Sequence, residues 1–330
     1  MTILVTGAAG FIGYHICQHL LKRDEPLIGI DNLNDYYDVN LKKARLKNLQ
    51  QFKNFQFYPI DITDKVAINT LIKKHPDIER IVHLAAQAGV RYSLNNPFAY
   101  TDANIVGQLT LLEACRTLSI KHFVYASSSS VYGANTKLPF SIQDPVEQPI
   151  SLYAATKRAC ELMSYTYSHL FAIPSTGLRF FTVYGPWGRP DMSAFIFTKA
   201  IFEEREISVF NQGDMQRNFT YIEDIVQGTL ACLDTPPQTN SSTAVESSVP
   251  HRVYNIGNNR AEKLMDFIQT LETIIGKKAK IHFESLQPGD VKATLADISE
   301  TSRDFGFLPK TNIQEGLTQF VDWYRNFYEL

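Results

Sequence analysis

Cysteine is scarce in this chain of 330 residues: Cys17, Cys115, Cys160 and Cys232 lie far apart and fit no metal-binding or redox spacing. A disulfide framework, a zinc knuckle and a C-x-x-C redox centre are therefore excluded, and four reduced, mostly helical thiols are expected. An excess of charge of one sign is also missing. Lys and Arg number 32 against 34 Asp and Glu, a formal net charge of -2, which supplies no broad field for nucleic acid or an anionic membrane. No apolar run approaches the roughly 18 residues of a membrane span, and no basic leader stands before the apolar opening MTILVTG. These absences lead to the expectation of a soluble cytoplasmic protein without nucleic-acid or membrane partners and without a metal. Any anionic ligand must be held locally, by single Arg or Lys residues or by backbone N–H groups.

What is present is a hydrophobic content of 44% with 20% charged residues, enough for a large core. The first half alternates β-rich runs with helical patterns. Ile3-Leu4-Val5, Leu27 to Ile30, residues 55–59, Ile81 to Leu84, His122 to Ala126 and Ser175 to Phe180 read as strands. Phe11 to Lys22, Val39 to Gln51, Asp64 to Lys74, Pro97 to Leu118 and Leu152 to Phe171 read as helices. Such alternation predicts right-handed crossovers and an α/β fold with a doubly wound parallel sheet. Residues 1–180 are expected to form this Rossmann unit. Residues 181–330 are expected to form mainly a smaller α/β substrate domain, with some chain returning to the first. Residues 235–250 are polar and predict a surface loop, and the apolar face of residues 313–328 predicts a packed last helix.

Gly7-Ala-Ala-Gly10-Phe-Ile-Gly13 stands between the first strand and the first helix. Glycine allows so tight a turn, and a helix N-terminus aims free N–H groups at a pyrophosphate. Asp31 ends the second strand; a carboxylate there accepts from adenosine ribose hydroxyls and repels a 2′-phosphate, pointing to NAD rather than NADP. Further candidates for cofactor contacts are Phe11 and Ile12 in the turn, Asn32, Asp61 and Ile62, and Leu84, Ala85 and Ala86 after the fourth strand. For Asp61, a helix cap is an equally good reading.

Tyr153 and Lys157 are four apart at the start of a helix and project from one face. A phenol is a poor base at neutral pH, and a neighbouring ammonium with a cationic nicotinamide favours the phenolate. The run Ser127-Ser128-Ser129-Ser130-Val-Tyr-Gly follows the fifth strand, at the sheet edge where ligands of open α/β sheets bind. A hydroxyl there can bridge a substrate hydroxyl and the Tyr oxygen. Each signal alone has an ordinary structural explanation; together they make a catalytic constellation.

The strings TGAAGFIG, HLAAQAGVRYS, SSSSVYG, YAATK and RFFTVYGPWGRPDM resemble the extended short-chain dehydrogenase/reductase superfamily over nearly the whole chain. Within it the chain is most similar to nucleotide-sugar epimerases of the UDP-glucuronate 4-epimerase kind, a branch marked by DNLNDYYDVNLKKARL, AGVRYS and GPWGRPDM. The resemblance implies that Tyr153, Lys157 and Ser128 are catalytic and that NAD stays bound through the cycle. Dehydratases of the superfamily carry Asp-Glu where this chain has Ser129-Ser130, and many galactose-type epimerases carry Asn at the position of Thr182.

Oxidation of glucuronate at carbon 4 makes a β-keto acid prone to lose CO2, so its carboxylate must be held. Ser127, Ser128, Ser129 and Thr182 are candidates for that, with Arg91 for the acid or a phosphate. By resemblance Arg189, Arg217 and Asp290 serve the UDP portion, and two copies pair through the Tyr/Lys helix and the long helix before the Ser strand. UDP-glucose 4-epimerisation, UDP-glucuronate decarboxylation and NAD(H) sensing without catalysis are the competing functions.

Overall fold

The computed structural model describes residues 2–238, 249–287 and 289–330. Its centre is a seven-stranded, wholly parallel sheet of β1 (Thr2–Thr6), β2 (Leu27–Ile30), β3 (Phe55–Tyr58), β4 (Ile78–His83), β5 (His122–Ser128), β6 (Ser175–Phe180) and β7 (His251–Ile256). The strand order is β7-β6-β5-β4-β1-β2-β3, so the winding reverses between β1 and β4. That reversal opens a crevice at the carboxyl ends of the strands. The expected doubly wound α/β fold is the observed one.

Strand alternation divides the core into two layers. Ile3 and Val5 of β1 join one apolar cluster, which includes α1 (Phe11–Lys22), while Leu4 joins the other. The second cluster takes Ile68, Leu71 and Ile72 of α3 (Lys65–Lys74) and Leu111, Leu112 and Cys115 of α4 (Gly107–Leu118). A charged helix, α2 (Val39–Leu49), and the Tyr/Lys helix, α5 (Leu152–Phe171), complete the first part of the chain. All four cysteines are buried. Among the described residues no helix is long and apolar enough to cross a membrane.

Two local expectations need correction. The single helix foreseen over residues 97–118 is a short turn, Pro97–Tyr100, then a π-helical segment, Thr101–Val106, then α4. The inserted residue redirects Asn104, whose side chain bonds both the Gln87 backbone and the Thr156 hydroxyl on α5. β5 also runs two residues further than foreseen, so Ser127 and Ser128 belong to the strand, and Ser129–Tyr132 form a 3-10 turn.

After β6 the chain builds three two-stranded sheets: Thr182–Tyr184 with Phe219–Tyr221, Gln216–Arg217 with Glu262–Lys263, and Glu206–Phe210 with Lys280–Glu284. Between these strands it rejoins the main sheet as β7, before Glu262–Lys263 and Lys280–Glu284, and the helix Ile222–Asp234 packs on α1. Of the loop expected at 235–250, residues 239–248 lie outside the described residues.

The Gly-rich turn shows how closely α1 sits on β1. A Cβ on Gly13 would stand 2.0 Å from the Gly7 carbonyl oxygen, and one on Gly7, whose φ is +70°, would stand 2.8 Å from the Ala85 nitrogen. Backbone cannot yield as a flexible side chain does. Gly13→Ala should therefore cost about 1–3 kcal/mol, the usual penalty for overpacking, measured as a lowered urea midpoint; an unchanged midpoint would refute the close packing.

Candidate active site

A cleft of about 1050 Å³ opens at the carboxyl ends of β1, β4 and β5 and is walled by residues of both halves of the chain. At one end lies the Gly-rich turn. The N-terminus of α1 has no side-chain cap and no acidic residue in its first turn, so its N–H groups remain for an anion. Phe11 and Ile12 line the cleft beside it.

Asp31 is buried and accepts from the backbone N–H groups of Ala9 (3.1 Å) and Leu33 (2.8 Å). Burial pushes its carboxyl above the usual range, opposed by those two bonds and by Lys42 and Arg45. Asn32 donates to Asp61 at 2.7 Å, and Asp61 also accepts from the Thr63 N–H and hydroxyl. Although partial burial works against it, these bonds hold the Asp61 carboxyl below its usual range. The cap of α3 is Asp64, which accepts from Val66 and Ala67; Asp61 is not that cap. Ile62, Leu84, Ala85 and Ala86 also line the cleft.

Between β1 and β4, the Thr6 hydroxyl accepts from the Ala85 N–H and lies 2.7 Å from His83 Nδ1. Burial, with Lys157 nearby, pushes His83 down to about 3. It is neutral at pH 7. An uncapped helix start, a side-chain-free turn and a buried carboxylate at the end of β2 together suit a dinucleotide.

At the reacting end, Tyr153 and Lys157 stand one turn apart on α5. The buried Lys157 ammonium donates to the Ala126 carbonyl at 2.9 Å, which ties α5 to the end of β5. The Tyr153 ring meets Tyr100 edge-on with centroids 6.0 Å apart. Ser128 accepts from the Ser130 N–H at 3.2 Å and donates its hydroxyl proton to the Ser130 hydroxyl at 3.1 Å. Ser129 and Thr182 line the same space. Ser127 does not serve as foreseen: its only proton is donated to buried Glu161 at 2.6 Å, which removes it as a donor to a carboxylate.

The arginines divide into two groups. Arg91 pairs with Asp290 at 2.9 Å and covers the Phe210 ring, and Arg217 lies near enough to feel both charges. Burial and Arg91 hold the Arg217 guanidinium below its ordinary range. Arg189 instead grips Asp191 with Nε (3.0 Å) and Nη2 (2.5 Å), within electrostatic reach of the Tyr36 and Tyr153 hydroxyls. The structure thus places it by the Tyr153 phenol, whereas Arg91 stands with Arg217 and Asp290.

Sequence reasoning missed the support beneath this site. Glu161 takes Nε and Nη2 of Arg179 (2.8 and 3.0 Å) and Nη1 of Arg158 (2.9 Å). Arg179 reaches on to the Tyr132 hydroxyl, which donates to Asn255 of β7. The available signal was Glu161 standing four residues after Lys157, on the same helix face. An arginine between Leu178 and Phe180 at the end of β6 was the other half of it.

The chain matches the model of the NAD dependent epimerase/dehydratase family over residues 3–257. It is 44% identical to a UDP-glucuronate 4-epimerase of Thermodesulfobacterium geofontis, covering 99% of this chain and 97% of that protein. It is 46% identical to UDP-glucuronate 4-epimerase 2 of Arabidopsis thaliana over 100% of this chain and 77% of the relative. Among solved structures, the UDP-glucuronic acid 4-epimerase of Bacillus cereus in complex with UDP-glucuronic acid and NAD superposes with a TM-score of 0.90 at 37% identity, covering 99% of this chain and 100% of that one. Matched by the family model over residues 3–257 and by relatives over nearly its whole length, this chain belongs to the NAD dependent epimerase/dehydratase family.

Proposed function

We propose that the protein interconverts UDP-glucuronate and UDP-galacturonate through a transient 4-keto sugar. Tyr153 takes the proton of the 4-hydroxyl as its phenolate. Lys157, bonded to the Ala126 carbonyl and to no carboxylate among the described residues, favours that phenolate and holds the nicotinamide ribose. Ser128 relays or steadies the proton, and Ser129 and Thr182 hold the sugar carboxylate so that the 4-keto acid keeps its CO2. NAD, when bound, would supply the redox chemistry, a hydride taken from carbon 4 and given back to the other face of the ring. The turn Gly7, Gly10, Gly13 and Asp31 hold this cofactor, with Phe11, Ile12, Asn32, Asp61, Ile62 and Leu84 to Ala86 around it. Residues 181–330 serve mainly as the UDP-sugar domain, where Arg91, Arg217 and Asp290 take the UDP portion. The reaction is placed in the cytoplasm.

The observation that carries this reading is the shared cleft: Tyr153, Lys157 and Ser128 at one end of a space that also holds a dinucleotide turn and an Arg91–Asp290–Arg217 group. Ser129 and Ser130 stand beside Ser128, so the reacting end lacks an adjacent carboxyl pair for elimination.

Incubation of the purified protein with UDP-glucuronate, without added cofactor, should give UDP-galacturonate by NMR. UDP-xylose as product would assign a decarboxylase instead, and turnover confined to UDP-glucose a neutral-sugar epimerase. Tyr153→Phe should keep its bound NAD and lose kcat by about 10²–10⁴-fold, the range for a lost acid–base group; near-normal turnover would remove Tyr153 from that role.

We also propose a homodimer. Phe98, Val106 and Leu109 before and on α4, and Leu162 and Leu170 on α5, are exposed apolar residues on neighbouring helices, a face suited to a second copy. Light scattering should give twice the chain mass, and Leu109→Glu with Leu162→Glu should shift it to the monomer. A wild-type monomer at micromolar concentration would dismiss the pairing.

A further inference from the structure

The strings DNLNDYYDVNLKKARL and GPWGRPDM lie far apart in sequence, yet the fold makes them one unit. Arg45 of α2 is wholly buried. Its Nη1 donates to the Ala9 carbonyl (2.9 Å) and the Tyr37 hydroxyl (2.7 Å), and its Nη2 to the carbonyls of Trp187 (2.6 Å) and Gly188 (3.3 Å). One guanidinium thus joins the dinucleotide turn to the loop that leads into Arg189.

Trp187 has a φ of +62°, a left-handed conformation that a bulky residue keeps only where its surroundings impose it. Those surroundings are the Arg45 bond and the rings of Tyr14, Trp323 and Phe327, with centroids 5.1–5.4 Å away.

The second tie is Tyr36, whose hydroxyl donates to Asp191 at 3.1 Å. Asp191 in turn grips Nε and Nη2 of Arg189, which leaves Nη1 as the arm not used within the cluster. A Cβ on Gly89 would come within 2.6 Å of the Tyr36 oxygen, so the phenol is seated directly on backbone. Burial and Asp191 push this phenol well above its usual range, so it stays a donor at neutral pH.

We propose that Tyr36 and Arg45 are positioning residues that hold the 187–191 loop so that Arg189 stands beside Tyr153. They thereby set how strongly the reacting end prefers an anionic to a neutral sugar. The specificity part rests on the function proposed above. A cation favours one substrate over another only as far as its place is fixed before the sugar arrives.

Hydrogen exchange by mass spectrometry tests the strap without any substrate. Tyr36→Phe, which keeps the ring, and Arg45→Lys, which keeps the charge, should both speed exchange of the amides of residues 186–192 by about tenfold, the scale of one lost charge-assisted bond. Bound NAD and the thermal midpoint of Tyr36→Phe should match wild type. Unchanged exchange in Tyr36→Phe overturns the strap even if Arg45→Lys does not fold.

Specificity is read by calorimetry in a Tyr153→Phe background, where nothing turns over. Added Tyr36→Phe should lower the ratio of UDP-glucuronate to UDP-glucose affinity about tenfold. Equal losses for both sugars, or none, overturn the specificity role. Absence of UDP-galacturonate from the wild-type reaction would instead count against the proposed function, leaving the exchange result to decide the strap.

Discussion

The contact on which the site depends is the bond from the Lys157 ammonium to the Ala126 carbonyl. It fixes α5 against the end of β5, so that Tyr153 and Ser128, which come from different elements, face one space. A buried cation is costly unless its hydrogen bonds are satisfied. Here the partner is a neutral carbonyl rather than a carboxylate, so the positive charge is not cancelled by an ion pair. The carboxylate best placed to cancel it, Glu161 one turn along, is occupied by Arg179, Arg158 and Ser127. Neighbouring His83 is neutral at pH 7 and adds no competing charge.

The same economy recurs around the cleft. Buried Arg45 is surrounded by carbonyls and a phenol, and Arg189 is balanced by Asp191. Arg91 is balanced by Asp290 while Arg217 stands close to both. With a net charge of -2 over the whole chain and carboxylates lining the cleft beside the cations, anionic ligands are read by singly placed cations rather than by a broad positive field. The buried network from Glu161 through Arg179 and Tyr132 to Asn255 carries the mechanical coupling. It links the floor under Ser128 to β7, the strand by which the second part of the chain returns.

Much of this was legible along the chain because it is local. The boundaries of α1 and α5, of β2 and of β6 follow from apolar periodicity and from breakers at their ends. The Gly-rich turn and the Tyr/Lys pair are readable because a tight turn and a one-turn spacing are properties of neighbouring residues. The π-helical segment at Thr101–Val106 was not readable. Its apolar spacing is that of a helix, and the extra residue is accommodated only because Asn104 finds Gln87 and Thr156 across the fold. Ser127 illustrates the same limit: in a run of four serines nothing distinguishes the one that turns to a glutamate 34 residues later.

By itself the sequence determined the element order, the parallel sheet, the dinucleotide turn and the phenol–ammonium pair, since each arises from spacing within one or two consecutive elements. Tertiary structure decided the rest: which serine turns to Glu161, that Asp64 rather than Asp61 caps α3, and that Arg189 stands by Tyr153 while Arg91 joins Arg217 and Asp290. Those outcomes depend on pairs distant in sequence, and a charged side chain acquires its partner only when the crossovers bring separate strand ends to one edge of the sheet.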